Sequence, residues 1–194
     1  MSNAFATFWA SAALLLLSAI CTAQPGKLYE SLKEAERTPD QVYKLALRKE
    51  RLRAVPEQIK AFPNLTYLDL SKNKLTDLPT WFSTLTNLEE LYLTRNKLTS
   101  VPEEIYDLHA LRILVLDRNP VETVDKQIGN LVHLELLNLW DTEIAALPET
   151  IRDLKNLKRL DLRNTLIYKD ELEAYQALLP NTEIQVTNGC DCKK

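Results

Sequence analysis

An apolar skeleton recurs every 23 residues along this chain, at Val42, Leu65, Leu88, Leu111, Leu134 and Leu157, and no other feature constrains the fold as strongly. The adjacent units NLTYLDLSKNKLTDLPTWFSTLT (64–86) and NLEELYLTRNKLTSVPEEIYDLH (87–109) keep their leucines and change most of what lies between. Within LTYLDL, Leu65, Leu68 and Leu70 flank Thr66, Tyr67 and Asp69, so a short strand sends its leucines inward and its other residues out. One unit cannot bury its leucines alone. Stacked copies can, because parallel strands about 4.8 Å apart line the leucines up into one continuous core.

The units follow the pattern L-x-x-L-x-L-x-x-N-x-L, with its Asn in the three central ones, and most continue into LPxxIxxLxxL, as in LPTWFSTLTNL and VPEEIYDLHAL. In these motifs the chain resembles the leucine-rich repeat family, in particular the 23-residue repeats of Ras-suppressor-like and Scribble-type proteins and of secreted bacterial repeat proteins. The resemblance covers residues 42–167 in six units. It implies an α/β solenoid with a short parallel sheet on its concave face.

Asn73, Asn96 and Asn119 occupy one register in three successive units, where the chain turns out of its strand with backbone groups buried. An amide side chain carries both donors and acceptors and satisfies such groups, so these three are expected to form a ladder. Glu50, Thr142 and Thr165 stand there in the outer units, and the ladder should weaken towards the ends. Pro56, Pro79, Pro102 and Pro148 favour extended or turn backbone on the return side, with Asp125 in the fourth unit. Ile59, Phe82, Ile105, Ile128 and Ile151 are expected to fill the core from the convex side.

The ends of such a stack need covers. Residues 24–41 are assigned to an N-terminal cap, in which Leu28, Leu32 and Ala35 have helical spacing. Residues 168–194 form the C-terminal cap and tail: a helix ending before Pro180, a strand at Glu183–Val186, then NGCDCKK. The first 23 residues lack Asp, Glu, Lys and Arg, peak in hydrophobicity at Ala12–Ile20, and read as a secretory signal cut after Ala23. Two alternatives stay open: an uncleaved anchor, or lipidation at Cys21, whose LSAIC context resembles a bacterial lipobox with Ile20 out of place. The expected location is secreted, periplasmic or cell envelope, with membrane attachment only if the N-terminus is lipidated or uncleaved. Without Cys21 the exported chain keeps Cys190 and Cys192, which are candidates for a disulfide, a free pair or an intermolecular link.

A formal net charge of -3 argues against a nucleic-acid partner, since phosphate neutralisation needs a surplus of Lys and Arg. Only two histidines, His109 and His133, are present, and both fall on connecting segments without a nucleophile in register. With three glycines the chain has no phosphate loop, and two cysteines without a nearby His give no metal site. No cofactor and no catalytic residue are expected.

The outward strand positions are what the repeat leaves free. One row reads Lys44, Tyr67, Glu90, Ile113, Leu136 and Arg159. A second reads Ala46, Asp69, Tyr92, Val115, Asn138 and Asp161, and a third Arg48, Ser71, Thr94, Asp117, Trp140 and Arg163. Together they place Tyr67, Tyr92, Ile113, Val115, Leu136 and Trp140 in a diagonal apolar band. Arg48 lies towards one end of it, and Arg159 and Arg163 towards the other. An apolar centre with aromatic anchors and a charged rim is the composition of a protein-binding surface, so the expected function is a non-enzymatic protein–protein interaction module. The alternative is an envelope-anchored adhesive or structural component in which the aromatic residues stack on a surface glycan.

Overall fold

The computed structural model describes residues 26–167 and 169–187. Eight parallel strands form one sheet whose spatial order follows the chain: β1 (Leu28–Tyr29), β2 (Lys44–Ala46), β3 (Tyr67–Asp69), β4 (Glu90–Tyr92), β5 (Ile113–Val115), β6 (Leu136–Asn138), β7 (Arg159–Leu162) and β8 (Glu183–Val186). From β2 to β7 the register shifts by one 23-residue repeat at each step, so Leu45, Leu68, Leu91, Leu114, Leu137 and Leu160 lie side by side. All six are buried. The chain is thus a leucine-rich repeat solenoid in which each unit closes its core only against its neighbours.

Opposite the sheet, the LPxxIxxL segments form short 3-10 helices, among them Glu57–Ala61, Thr80–Thr84, Glu103–Asp107, Lys126–Asn130 and Glu149–Asp153. The proline before each helix holds extended backbone and cannot donate a hydrogen bond, which starts the turn without leaving an N–H orphaned. Asp125 replaces it in the fourth unit by a different route, its carboxylate accepting from Gln127 N–H at 2.9 Å. Ile59, Phe82, Ile105, Ile128 and Ile151 are fully buried beneath these helices.

The asparagine ladder is a set of shared backbone bonds. Asn96 Nδ2 donates to the carbonyls of Leu70 (3.0 Å) and Leu93 (2.9 Å), while its Oδ1 accepts from Leu75 N–H (3.1 Å). Asn73 and Asn119 repeat this one unit before and after, and Asn119 Oδ1 also accepts from Asn96 N–H. Thr142 and Thr165 each donate to one carbonyl only, Leu139 and Leu162 O, and Thr165 also accepts from Ile167 N–H. Immediately before each ladder position the backbone is left-handed: Lys49, Lys72, Arg95, Arg118, Asp141 and Asn164 all have φ between 56 and 63°. None of them is glycine.

The N-terminal cover differs from the expected single helix. Leu28 lies on β1, which adds a strand to the sheet edge; Leu32–Ala35 is α-helical (α1), and Pro39–Gln41 forms a 3-10 turn. A two-residue strand sends alternate side chains to opposite sides, so Tyr29 is buried and Leu28 exposed. At the other end α2 (Lys169–Leu178) precedes β8, and Tyr175 reaches back so that its hydroxyl accepts from Leu147 N–H at 2.8 Å. Cys21, Cys190 and Cys192 lie outside the described residues.

Candidate functional site

The register brings the three outward rows together on one face of the sheet. Along its outermost row a hollow of about 450 Å³ lies over Ile113 and Leu136, with Glu90, Arg112, Lys158 and Arg159 among its walls. Ile113, Leu136 and Trp140 are each half-buried, so part of their apolar surface stays in water. Val115 departs from the expected exposed band. It is only 8% exposed, because it sits in the middle row between Tyr92 and Asn138 and offers little surface for contact.

The walls of the hollow are held by ion pairs. Glu135 accepts from Arg112 Nε at 2.8 Å and from Lys158 Nζ at 2.5 Å, and both contacts keep its carboxyl below the usual range, Lys158 the more strongly. Arg112 also faces Glu89 at 3.6 Å, and Arg159 faces Glu183 at the same distance. These pairs are largely exposed and screened by solvent, so they add little to stability. Their use is geometric: they fix long side chains around an apolar floor.

The tyrosines are tethered rather than free. Their rings lie 5.2 Å apart at 42°. Tyr92 donates to Glu90 at 2.9 Å, and burial foremost, with the Glu90 carboxylate, pushes its hydroxyl well above the ordinary range. Tyr67 accepts from Arg48 at 3.0 Å, and Arg48 Nε sits 2.5 Å from Asp69. Arg48 was expected to be a rim charge open to a partner, yet it spends its guanidinium on Asp69 and Tyr67. Arg163 likewise holds Asp161 with two bonds, at 2.9 and 2.6 Å, which leaves Arg159 as the more available cation at that end.

Trp140 carries Arg118 over one ring face, the guanidinium carbon 4.3 Å from the ring centre, and Arg118 in turn faces Asp141 at 3.9 Å. Its backbone N–H is fixed by Asn138 Oδ1 at 2.9 Å. Asp69 and Asp161 cap Ser71 and Arg163 in the same way. His109 and His133 are exposed on the connecting segments, and no group of three metal-ligating side chains occurs among the described residues.

Several residues that shape this face were not singled out by sequence reasoning. Arg112, Glu135 and Lys158 stand one position before the outermost row and carry the charged wall. A second, exposed set of bonds lies at the start of three units: Asn64, Asn87 and Asn156 donate to the carbonyls of Asp40, Pro63 and Val132. Its signal was present as the recurrent Asn-Leu dipeptide in the 23-residue register.

Comparison with known proteins agrees with this architecture. A leucine rich repeat family model matches residues 40–98 and, in overlapping register, 63–121. Among solved structures the chain is similar to a leucine-rich repeat protein of Leptospira interrogans (24% identity, TM-score 0.53), covering 84% of this chain and 58% of that one. It is also similar to an internalin, InlF, of Listeria monocytogenes (21% identity, TM-score 0.64), covering 77% of this chain and 44% of that one. A third is a plant peptide hormone receptor in complex with RGF2 (28% identity, TM-score 0.52), with 58% of this chain and 19% of the receptor covered. The chain therefore spans less than two thirds of each of these solved chains. No curated protein sequence matches it significantly. The 23-residue register, the buried leucine rows, the asparagine ladder and the family match agree: the chain has the leucine-rich repeat fold, and its residues 40–121 match the leucine rich repeat family.

Proposed function

We propose that this chain is an exported, non-enzymatic interaction module that binds another protein on the concave face of its sheet, with Ile113, Leu136 and Trp140 as anchors. The observation that carries this reading is the hollow over Ile113 and Leu136, an apolar floor ringed by side chains that ion pairs hold in place. Leaving such surface in water is unfavourable, whereas a partner side chain seated there gains burial at little ordering cost. That the plant receptor was solved in complex with RGF2 supports a protein or peptide ligand.

The glycan reading is weaker on this geometry, since Arg118 covers one face of Trp140 and the hydroxyls of Tyr67 and Tyr92 are tied to Arg48 and Glu90. Export rests on the uncharged leader 1–23 and is tested separately below.

The test of the site places a photo-crosslinking amino acid at Ile113 and, in a second protein, at exposed Val132, and exposes both to proteins from the native host. A partner captured through position 113 and not through 132, with affinity lost on Leu136→Ala, supports the assignment. Capture through 132 alone overturns it.

A further inference from the structure

Three carboxylates on the sheet face are more than nine-tenths buried: Asp69, Asp117 and Asp161. A buried carboxylate is costly unless it is paired and hydrogen-bonded. Two of the three are neutralised by the chain itself, Asp69 by Arg48 and Asp161 by Arg163. Asp117, between them and nearest the apolar centre, is not. Its one side-chain donor is Thr94 Oγ1 at 2.5 Å, and among the described residues no Lys or Arg nitrogen lies within 4.0 Å of it. Burial raises its pKa, opposed by the Thr94 hydroxyl, its own backbone N–H and, at longer range, Arg95.

The surroundings of Asp117 select the missing partner. Thr94 and Trp140 stand one unit before and after it in the same row. Arg118, which could otherwise turn towards it, is stacked on Trp140 and faces Asp141. A half-satisfied carboxylate beside an aromatic ring repels anions and is best completed by a cation bearing N–H donors. The two paired aspartates show what completion looks like here: a guanidinium within about 3 Å.

We propose that the partner inserts a lysine or arginine side chain onto Asp117, beside Trp140, while its apolar residues fill the hollow over Ile113 and Leu136. This deepens the concave-face reading and rests on it. Asp117 is then kept at some cost to the free protein because a bound cation completes it.

The test uses a phage-displayed random peptide library selected on the immobilised protein. Synthetic peptides from the winners are then titrated against wild type, Asp117→Asn, Trp140→Ala and Leu136→Ala. Selected peptides should share a basic residue. Replacing it with norleucine or citrulline, or introducing Asp117→Asn, should weaken binding roughly 30-fold or more, as loss of one partner of a buried charge pair does. The Asn variant should melt no lower than wild type at pH 7, because it removes an unpaired buried charge.

Peptides that lose affinity with Trp140→Ala and Leu136→Ala but not with Asp117→Asn, or that lack a basic residue, overturn this inference and leave the concave-face reading standing. Peptides indifferent to all three variants overturn the concave-face reading itself. A lowered melting temperature for Asp117→Asn assigns the carboxylate a structural role and overturns the proposal. Concentration-dependent dimers that Asp117→Asn abolishes assign the site to a second copy of this chain, and overturn the foreign partner.

Discussion

Asn96→Ala should be among the most damaging single substitutions outside the leucine core. The side chain is 8% exposed and serves three backbone groups: it donates to Leu70 O and Leu93 O and accepts from Leu75 N–H. Alanine removes the amide, orphans Leu75 N–H, and takes one of two side-chain donors from Leu70 O and Leu93 O, which Asn73 and Asn119 still serve. An orphaned buried N–H costs about 1–3 kcal/mol and each lost hydrogen bond about 0.5–1.5, so the expected loss is roughly 2–6 kcal/mol, against a total of about 5–15 kcal/mol for a typical domain. The control is Thr142→Val, which removes one bond to Leu139 O and should cost about 1 kcal/mol. Urea titration followed by circular dichroism measures both. Tryptophan fluorescence read on the same samples shows whether the array still unfolds as a unit, which repeat proteins need not do. A loss below about 1 kcal/mol for Asn96→Ala, or one no greater than that of Thr142→Val, would refute the view that the ladder holds the turns together.

Four further outcomes are expected. Lys72 holds φ at 61°, so Lys72→Gly should be neutral or stabilising by up to about 1 kcal/mol in chemical denaturation, and Lys72→Val destabilising by about 1 kcal/mol or more; the reverse order would contradict the backbone reading. Tyr106→Phe orphans the Asp125 N–H that its hydroxyl now accepts at 3.0 Å and should cost about 1–2 kcal/mol; wild-type absorbance titration should place this tyrosine, pushed up by burial to about 12, above the ordinary phenol range. With Asp117 raised in the folded state, that state holds its proton more tightly than the unfolded chain does, so its contribution to stability falls as pH climbs from the ordinary aspartate value to the raised one. The melting-temperature advantage of Asp117→Asn should accordingly be present at pH 7 and vanish below about pH 3.5. As a check on export, the intact mass from the native host should begin at Gln24; a mass beginning at acylated Cys21 would make the protein membrane-tethered.

The leucine rows and the isoleucines beneath the 3-10 helices were legible because a 23-residue period leaves few ways to bury so many apolar residues, and each unit repeats the answer. The outward rows were legible for the same reason: Tyr67, Glu90, Ile113 and Leu136 do lie in one register. What sequence reasoning missed is what side chains do across that register. Arg48 and Arg163 look like rim charges when read singly, but Asp69 and Asp161, one unit away or two residues before, engage them. Val115 reads as an exposed valine, yet the covered middle row hides it. The left-handed row from Lys49 to Asn164 carries no glycine to announce it, since the ladder bonds of the following residue hold the turn without one. Leu28 fitted a helical spacing because a two-residue strand is too short to show a period of its own.

The central claim is that the concave face binds a protein through Ile113, Leu136 and Trp140. The most direct measurement is the dissociation constant, by isothermal titration calorimetry, of the crosslink-identified partner for wild type and for the Leu136→Ala/Trp140→Ala double variant, with the fold of each checked by circular dichroism. Two central anchors worth about 2 kcal/mol apiece predict a loss of several hundredfold without unfolding. An affinity unchanged within about threefold, with both proteins folded, would contradict the account.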